Sequence, residues 1–135
     1  MPTDPAKLRD FAERYTAAWC SKDPERVASF FSPTGSLTVN QGTPAVGRNQ
    51  IAETARSFMT AFPDLIVIMD DLRICPAHTE YHWTLTGTNT GPGGTGHKIR
   101  IKGLEKWCIG TDNLIASSQG HFDAAEYQRQ LRQGA

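Results

Sequence analysis

A carboxylate stands on the apolar side of a strand-like segment. Between residues 99 and 109 the odd positions are apolar except Gly103 and Glu105, and the even positions include one arginine and two lysines. Strict alternation predicts a strand whose odd face meets a core or a cavity. A dry carboxylate needs hydrogen-bond partners, a raised pKa or a pocket, and the last two suit a general acid or a binding site. A structural ion pair with an arginine is the alternative for Glu105.

The composition of the chain argues against nucleic-acid-binding, membrane-bound and secreted proteins. The chain has 135 residues, which suits one domain spanning 1–135, and its 14 basic residues balance 14 acidic ones. Without a basic stripe, neither nucleic acid nor an anionic membrane is an expected partner. No apolar run approaches the roughly 20 residues that span a bilayer, and the first five residues are too polar for a secretion signal. These features favour a cytoplasmic protein.

The cysteines and histidines give no metal-ligand motif in the sequence. Cys20, Cys75 and Cys108 are far apart and form no CxxC pair, which argues against a disulfide framework and against zinc. His78 and His82 are four residues apart, but in a strand rather than a helix, where this spacing shares a face only loosely. No metal site and no cofactor are predicted.

Helices come first along the chain and strands later. This order is typical of an α+β domain, in which helices cover one face of a curved antiparallel sheet. Capping and periodicity predict helices from Asp4 to about Lys22, from Asp23 through Phe31, over about 48–61 and over 124–131; alternation predicts strands at 36–40, 65–69, 80–88, 98–109 and 114–122.

A polar cavity wall is the hypothesis for the later strands. Asn89 shares a parity with Trp83, and the last strand carries Gln119 and Asp123 on one parity. If that parity faces inward, Gln119 and Asp123 join Glu105 and Asn89 around one cavity. Two carboxylates in an apolar cavity push their pKa values apart, which separates acid from base.

Aromatic residues on the first helix complete this hypothetical cavity. For each residue proposed to line it, a structural or solvent-exposed role is the alternative. Tyr15 and Trp19 lie on the helix above it. The alternative for Tyr15 is a core residue whose hydroxyl has a hydrogen-bond partner. In the alternative to the cavity hypothesis, the polar parity of the last strand faces solvent. Asp123 then serves only as the N-cap of the following helix.

Several segments resemble the SnoaL-like polyketide cyclases, a branch of the nuclear transport factor 2-like superfamily. The run from Trp83 to Gly91 resembles their Gly-Thr-His-x-Gly turn, with Asn89 in the histidine's place. The ending, with Asp123 before a short helix and a Gln130-Leu131 pair, resembles theirs. The resemblance implies a cystatin-like α+β barrel with a conical pocket, in which Asp123 is the acid/base of an aldol ring closure. It also implies a homodimer through the outer face of the sheet.

Ketosteroid isomerases of the same superfamily offer a second comparison. Tyr15 matches their oxyanion-hole tyrosine, and Glu105 matches their protonated aspartic acid, which donates a hydrogen bond. Their general base falls near Asn40, and an asparagine cannot accept a proton, which argues against steroid-type isomerisation.

The resulting hypothesis is a cofactor-independent acid/base enzyme acting on a small hydrophobic carbonyl compound, with cyclase- or isomerase-like chemistry. Asp123 is its predicted general acid/base, and Glu105 and Tyr15 polarise an oxygen. A non-catalytic protein that binds a small apolar ligand is the alternative. The predicted substrate-binding residues are Trp19, Asn40, Phe58, Trp83, Asn89, Trp107 and Gln119.

Overall fold

Four helices are present in a computed structural model that describes residues 4–135. They are α1 (Pro5–Cys20), α2 (Pro24–Ala28), α3 (Arg48–Ala61) and α4 (Ala124–Gln133). Aspartates begin three of them, because a side-chain oxygen of Asp4, Asp23 or Asp123 accepts a hydrogen bond from a first-turn backbone N–H. The predicted bounds of α3 are confirmed. Residues 1–3, which contribute to the expectation of no secretion signal and to the 1–135 domain range, lie outside the described residues.

Within the described part of the chain, six strands form one sheet. They are β1 (Phe31–Val39), β2 (Ala45–Val46), β3 (Ile66–Ile74), β4 (Thr79–Thr88), β5 (Lys98–Ile109) and β6 (Ile115–Phe122), in the order β2-β1-β6-β5-β4-β3. The sheet is curved and not closed, and the helices pack against it, so the predicted α+β class is confirmed. One pairing differs from an all-antiparallel sheet: β1 runs parallel to β6.

The first strand begins earlier than the sequence predicts. The second helix ends at Ala28 rather than after Phe31, and Phe31 already pairs with Ile115 of β6. The register then shifts before Ser36, so the Ser-Pro-Thr-Gly run is an irregularity within β1. A proline and a glycine usually signal a turn, and here they form a bulge that leaves the strand intact.

The core lies between the helices and the concave face of the sheet. Side chains of α1 and α3 bury their apolar stripes there, Leu8, Phe11, Tyr15, Ile51 and Met59 among them. None of the helices in residues 4–135 combines the length and apolarity needed to cross a membrane.

The last helix is attached to the sheet by one buried glutamine. Gln130 accepts a hydrogen bond from the Arg100 backbone N–H at 2.6 Å and donates to the Arg100 carbonyl at 3.1 Å. A side chain that satisfies both backbone groups of one strand residue fixes α4 against β5. This places Tyr127 of α4 beside Phe62 and Phe122.

The absence of a side chain at Gly103 leaves space for Trp83. A Cβ atom at Gly103 would lie 2.5 Å from the His121 carbonyl oxygen and 2.5 Å from Cζ2 of Trp83. We therefore expect Gly103→Ala to lower the free energy of unfolding by about 1–3 kcal/mol, the usual cost of overpacking. Urea denaturation followed by tryptophan fluorescence measures it.

Gly120→Ala is the matched control, because a Cβ atom there would meet nothing nearer than 3.5 Å. We expect this variant to equal or exceed the wild type in stability. Equal stabilities of the two alanine variants would contradict the steric argument.

Candidate active site

Glu105 points into the protein, as the alternation on β5 predicts. Its inward neighbours Ile101 and Trp107 are buried, whereas Arg100 and Lys106 on the other parity are exposed. The exposed fraction of Glu105 is only 6%. The carboxyl group therefore needs partners inside the protein.

Three neutral donors surround this carboxyl group. The Trp107 indole Nε1 donates to Oε1 at 3.0 Å, and the Ser118 hydroxyl donates to Oε1 at 2.7 Å. The Tyr15 hydroxyl lies 3.0 Å from Oε1 and 3.1 Å from Oε2. Within residues 4–135 no ion pair includes Glu105, so these contacts replace the arginine of the structural alternative.

The two carboxyl oxygens of Glu105 are not equivalent. Oε1 faces all three donors, including the Trp107 indole, which can only donate. Oε2 has only the Tyr15 hydroxyl near it among the described residues. A proton on Glu105 is therefore best placed on Oε2, where one more partner can be bound.

Burial raises the pKa of Glu105, and the hydrogen bonds from Ser118, Trp107 and Tyr15 oppose that shift. Desolvation penalises the charged form, and no positively charged side chain within residues 4–135 pairs with Glu105 to offset that penalty. The pKa of Tyr15 lies well above its usual value, mainly through burial and then through the Glu105 charge. Tyr15 therefore stays protonated and acts as a donor.

Aromatic rings hold the donors in place. Trp107 stacks on Tyr81 with ring centroids 4.9 Å apart, and its other contacts are edge-on to Tyr15 and Phe11 at 5.2 and 5.7 Å. Stacked and edge-on pairs stabilise beyond the area that they bury. The orientation of the indole N–H toward Glu105 is thus fixed by packing.

A cavity of about 70 Å³ lies on the concave side of the sheet. Its lining is almost entirely apolar, and Glu105 is the one carboxyl group among the described lining residues. These are Trp19, Leu37, Val39, Thr54, Phe58, Val67, Tyr81, Trp83, Leu85, Ile99, Ile101, Glu105, Gly120, Phe122 and Tyr127.

The aromatic residues that the sequence predicts for the site fall into two groups. Trp19, Phe58 and Trp83 line the cavity. Tyr15 and Trp107 are fully buried, do not line it, and contact Glu105 instead. They position the carboxyl group rather than form a wall for a ligand.

The two predicted asparagines have backbone partners. The Asn40 side-chain oxygen accepts from the Phe122 N–H at 2.9 Å, which extends the β1–β6 pairing. Asn89 donates to the Ala61 carbonyl at 3.1 Å and accepts from the Thr95 N–H at 2.8 Å. Neither residue lines the cavity. Their predicted role in substrate binding has no support in this geometry.

The hypothesis that the polar parity of β6 faces inward is wrong at Gln119 and Asp123, although Ile115 on the same parity is buried. Ser118 and Gly120 are buried, whereas Gln119 and Asp123 are exposed. Asp123 is the N-cap of α4, where its side chain accepts from the Glu126 N–H at 3.0 Å. The register brings Ser118 opposite Trp107, and this places the serine hydroxyl at Glu105. Asp123 therefore does not join Glu105 at the cavity, and its catalytic role stays a prediction.

Sequence reasoning missed Ser118 as a partner of Glu105, and Tyr81 and Tyr127 as cavity residues. Ser118 has the parity of Gly120 and Phe122, which line the cavity. Tyr81 shares the odd parity of Trp83 on β4, and this signal could have found it. Tyr127 depends on how α4 docks, which has no local sequence signal.

The open curved sheet and the helices that cover it form the ketosteroid isomerase-like, nuclear transport factor 2-like fold. The model of the SnoaL-like polyketide cyclase family matches residues 9–131. The chain belongs to that family. Among curated proteins, none matches the chain significantly.

Solved structures of low sequence identity share the fold. A protein of Catenulispora acidiphila with a ketosteroid isomerase-like fold, in complex with trimethylamine, is 16% identical with a TM-score of 0.79, covering 90% of this chain and 91% of that one. TsrD from Streptomyces laurentii is 20% identical with a TM-score of 0.80, covering 95% and 96%. SalBIII, an epoxide hydrolase/cyclase-like enzyme of pyran ring formation in the polyether salinomycin, is 14% identical with a TM-score of 0.79, covering 93% and 97%.

We expect Glu105 to titrate above the ordinary glutamate value of 4.5, because burial favours its protonated form. In a pH window upward from 4.5 the folded protein keeps a proton that the unfolded chain has lost. The contribution of Glu105 to the free energy of unfolding is therefore largest at low pH and falls as pH rises through that window. Carboxyl ¹³C shifts measure the titration directly.

Glu126 is the internal reference in the same spectra, since hydrogen bonds from Arg129 and Gln130 lower its pKa to about 2. Glu105→Gln removes the proton linkage. The free energy of unfolding of this variant should therefore increase relative to that of the wild type as pH rises. A Glu105 resonance that titrates at or below 4.5 would contradict the description of the site.

Proposed function

We propose that this protein is an acid/base enzyme acting on a small hydrophobic carbonyl compound, and that Glu105 transfers the proton. The observation that carries the proposal is a lone carboxyl group with a raised pKa in an otherwise apolar cavity. A carboxyl whose pKa is raised is a better base when ionised and is available as an acid when protonated. The cytoplasmic location stays part of this proposal.

One carboxyl group is sufficient for the chemistry. Ionised Glu105 removes a proton from the carbon next to a carbonyl group, which leaves an enolate. Returning that proton to another carbon isomerises the compound. If the enolate carbon instead attacks a second carbonyl group of the same molecule, a carbon–carbon bond closes a ring, and Glu105 returns the proton to the new alkoxide oxygen. Both routes regenerate the carboxylate.

Tyr15, Trp107 and Ser118 serve this chemistry as positioning residues. They hold Oε1, so that Oε2 keeps one free direction for a substrate atom. Tyr127 is the best-supported donor for the substrate oxygen, because it lines the same cavity from α4. Burial raises the pKa of its hydroxyl, which therefore stays protonated and able to donate.

The size of the cavity bears on the class of substrate. About 70 Å³ is less than half of an engineered cavity of about 150 Å³ that takes benzene. A small ketone therefore suits the cavity better than a multi-ring polyketide, which would have to displace Phe58 or Tyr127. The family name and the cyclase-like SalBIII support cyclase- or isomerase-like chemistry on this scaffold.

We expect the wild type to accelerate deuterium incorporation next to the carbonyl group of small hydrophobic ketones in D₂O, measured by proton NMR. Glu105→Gln should lower that rate by about 10²- to 10⁴-fold, the usual contribution of a general acid or base. The amide keeps the shape of the side chain but cannot take up a proton. Circular dichroism checks that the variant is folded.

Glu53→Gln is the matched control, since Glu53 is exposed on α3 and does not line the cavity. Asp123→Asn forms a separate arm, because asparagine preserves a helix N-cap while removing the carboxyl group. Loss of exchange in Asp123→Asn with full exchange in Glu105→Gln would transfer the acid/base role to Asp123 and overturn our assignment.

A non-catalytic binding protein is the second candidate. The absence of a second carboxyl group among the described lining residues favours it, because many acid/base enzymes divide the work between two groups. A binder would be stabilised by a small ketone in a thermal-shift assay and leave its deuterium content unchanged. An enzyme would be stabilised by the ketone in the same assay and would also raise its deuterium content.

A homodimer through the outer face of the sheet belongs to the same proposal. Ile66 and Ile68 on the edge strand β3 expose 51% and 53% of their surface on that face. Exposed isoleucines in one row are suited to a protein interface. We expect the double change Ile66→Lys, Ile68→Lys to convert a dimer into a monomer in light scattering.

Val46→Lys is the matched control, since Val46 is 55% exposed on β2 at the opposite edge of the sheet. It should leave the mass of the assembly unchanged. A wild type that is monomeric at high micromolar concentration would refute the dimer.

A further inference from the structure

Three side chains of metal-binding type meet at the turn between β3 and β4. The ligand atoms of Cys75, His78 and Glu80 all lie within 4.8 Å of one another. The turn is closed by the Cys75 backbone N–H, which donates to the His78 carbonyl at 2.9 Å, and Ile74 pairs with Thr79 beyond it. The hairpin thus brings the two ends of a Cys-x-x-His sequence together.

Glu80 connects this cluster to a second histidine. Its Oε2 atom lies 3.0 Å from Nε2 of His78, and its Oε1 atom lies 3.1 Å from Nε2 of His82. The side chains of His78, Glu80 and His82 are exposed by 32%, 21% and 24%. They are half-buried, so an ion could reach them from solvent while their side chains stay ordered.

The cluster is separate from the candidate active site. Glu80 lies on the parity of β4 opposite to that of Tyr81, which pairs with Glu105 and lines the cavity. The cluster therefore occupies the outer side of the sheet at the hairpin tip. Its chemistry is independent of the proposed acid/base function.

We propose that Cys75, His78 and Glu80 bind a Zn²⁺ ion. A thiolate, an imidazole nitrogen and a carboxylate oxygen are the ligand types that zinc takes, and three protein ligands leave a fourth position for water. The Cys75 thiol loses its proton on binding, because the thiolate is the ligand. His82 holds the second oxygen of Glu80 as an outer partner, the usual way in which a ligating carboxylate is oriented.

The sequence spacing concealed this site. His78 and His82 show no helical ligand motif, and the cysteine is the third ligand only because the turn folds it back onto His78. Along β4, residues two apart lie on one face, which places Glu80 beside His82, and the turn before β4 brings His78 to the other oxygen of Glu80. A turn of four residues and a strand period of two together form the cluster.

Cobalt is the probe for the experiment, because Co²⁺ replaces Zn²⁺ in tetrahedral sites and is coloured. The full chain is first treated with a chelator and a reductant, and then titrated with Co²⁺. We expect saturation at one equivalent, intense tetrahedral bands and a thiolate-to-cobalt charge-transfer band, all removed by added Zn²⁺. Zn²⁺ should also raise the melting temperature of the wild type.

Variants distinguish this site from incidental binding. Cys75→Ser should abolish the charge-transfer band and the zinc-dependent melting shift, and Glu80→Gln should weaken Co²⁺ binding. His82→Asn should weaken it by about 10- to 100-fold, as expected for an outer partner. Cys108→Ser is the matched control, since Cys108 is an exposed cysteine on the neighbouring strand β5, and it should retain the band.

Two outcomes overturn the proposal. One is a charge-transfer band that survives Cys75→Ser or disappears in Cys108→Ser. The other is a wild type that gives only the weak bands of six-coordinate Co²⁺, which would leave Glu80 and the two histidines as a hydrogen-bonded surface cluster without a metal.

Discussion

The burial of the Glu105 carboxyl group among neutral donors is the constraint on which the rest of the structure depends. An unpaired carboxylate in a dry interior costs several kcal/mol, and within residues 4–135 no cation pairs with Glu105 to offset that cost. The donors come from α1, β5 and β6, so the first helix and the last two strands have to be placed together. The site thus also fixes the position of the first helix relative to the sheet.

The two faces of the sheet are chemically different, and each has a distinct local organisation. The concave face is apolar around one carboxyl group, and the aromatic rings of Tyr15, Tyr81 and Trp107 restrict how that group can turn. The outer face carries the polar cluster of Cys75, His78 and Glu80 at a hairpin tip. Because neighbouring residues of β4 alternate between the faces, Glu80 and Tyr81 belong to different sites although they are adjacent.

The sequence predicted β5 and α3 well, because apolar periodicity is unambiguous there: β5 has the predicted bounds, and Glu105 points inward. It failed on β6, where each parity has one large apolar residue, Ile115 or Phe122, among small or polar ones, so periodicity could not select a face. What selects it is the Ser118 hydroxyl at Glu105, a tertiary contact between residues 13 apart in sequence. The helix cap at Asp123 followed from its position before α4, but its exposure required the fold.

The parallel pairing of β1 with β6 has a consequence for how the chain reaches its native state. Phe31 meets Ile115 across this pair, so a strand near the start of the sequence completes its ladder only with one from near the end. Contacts between such distant segments slow folding, since a long loop must close before they form. During synthesis β1 therefore has to wait for β6 to leave the ribosome, and its unpaired edge is open to aggregation in the interval.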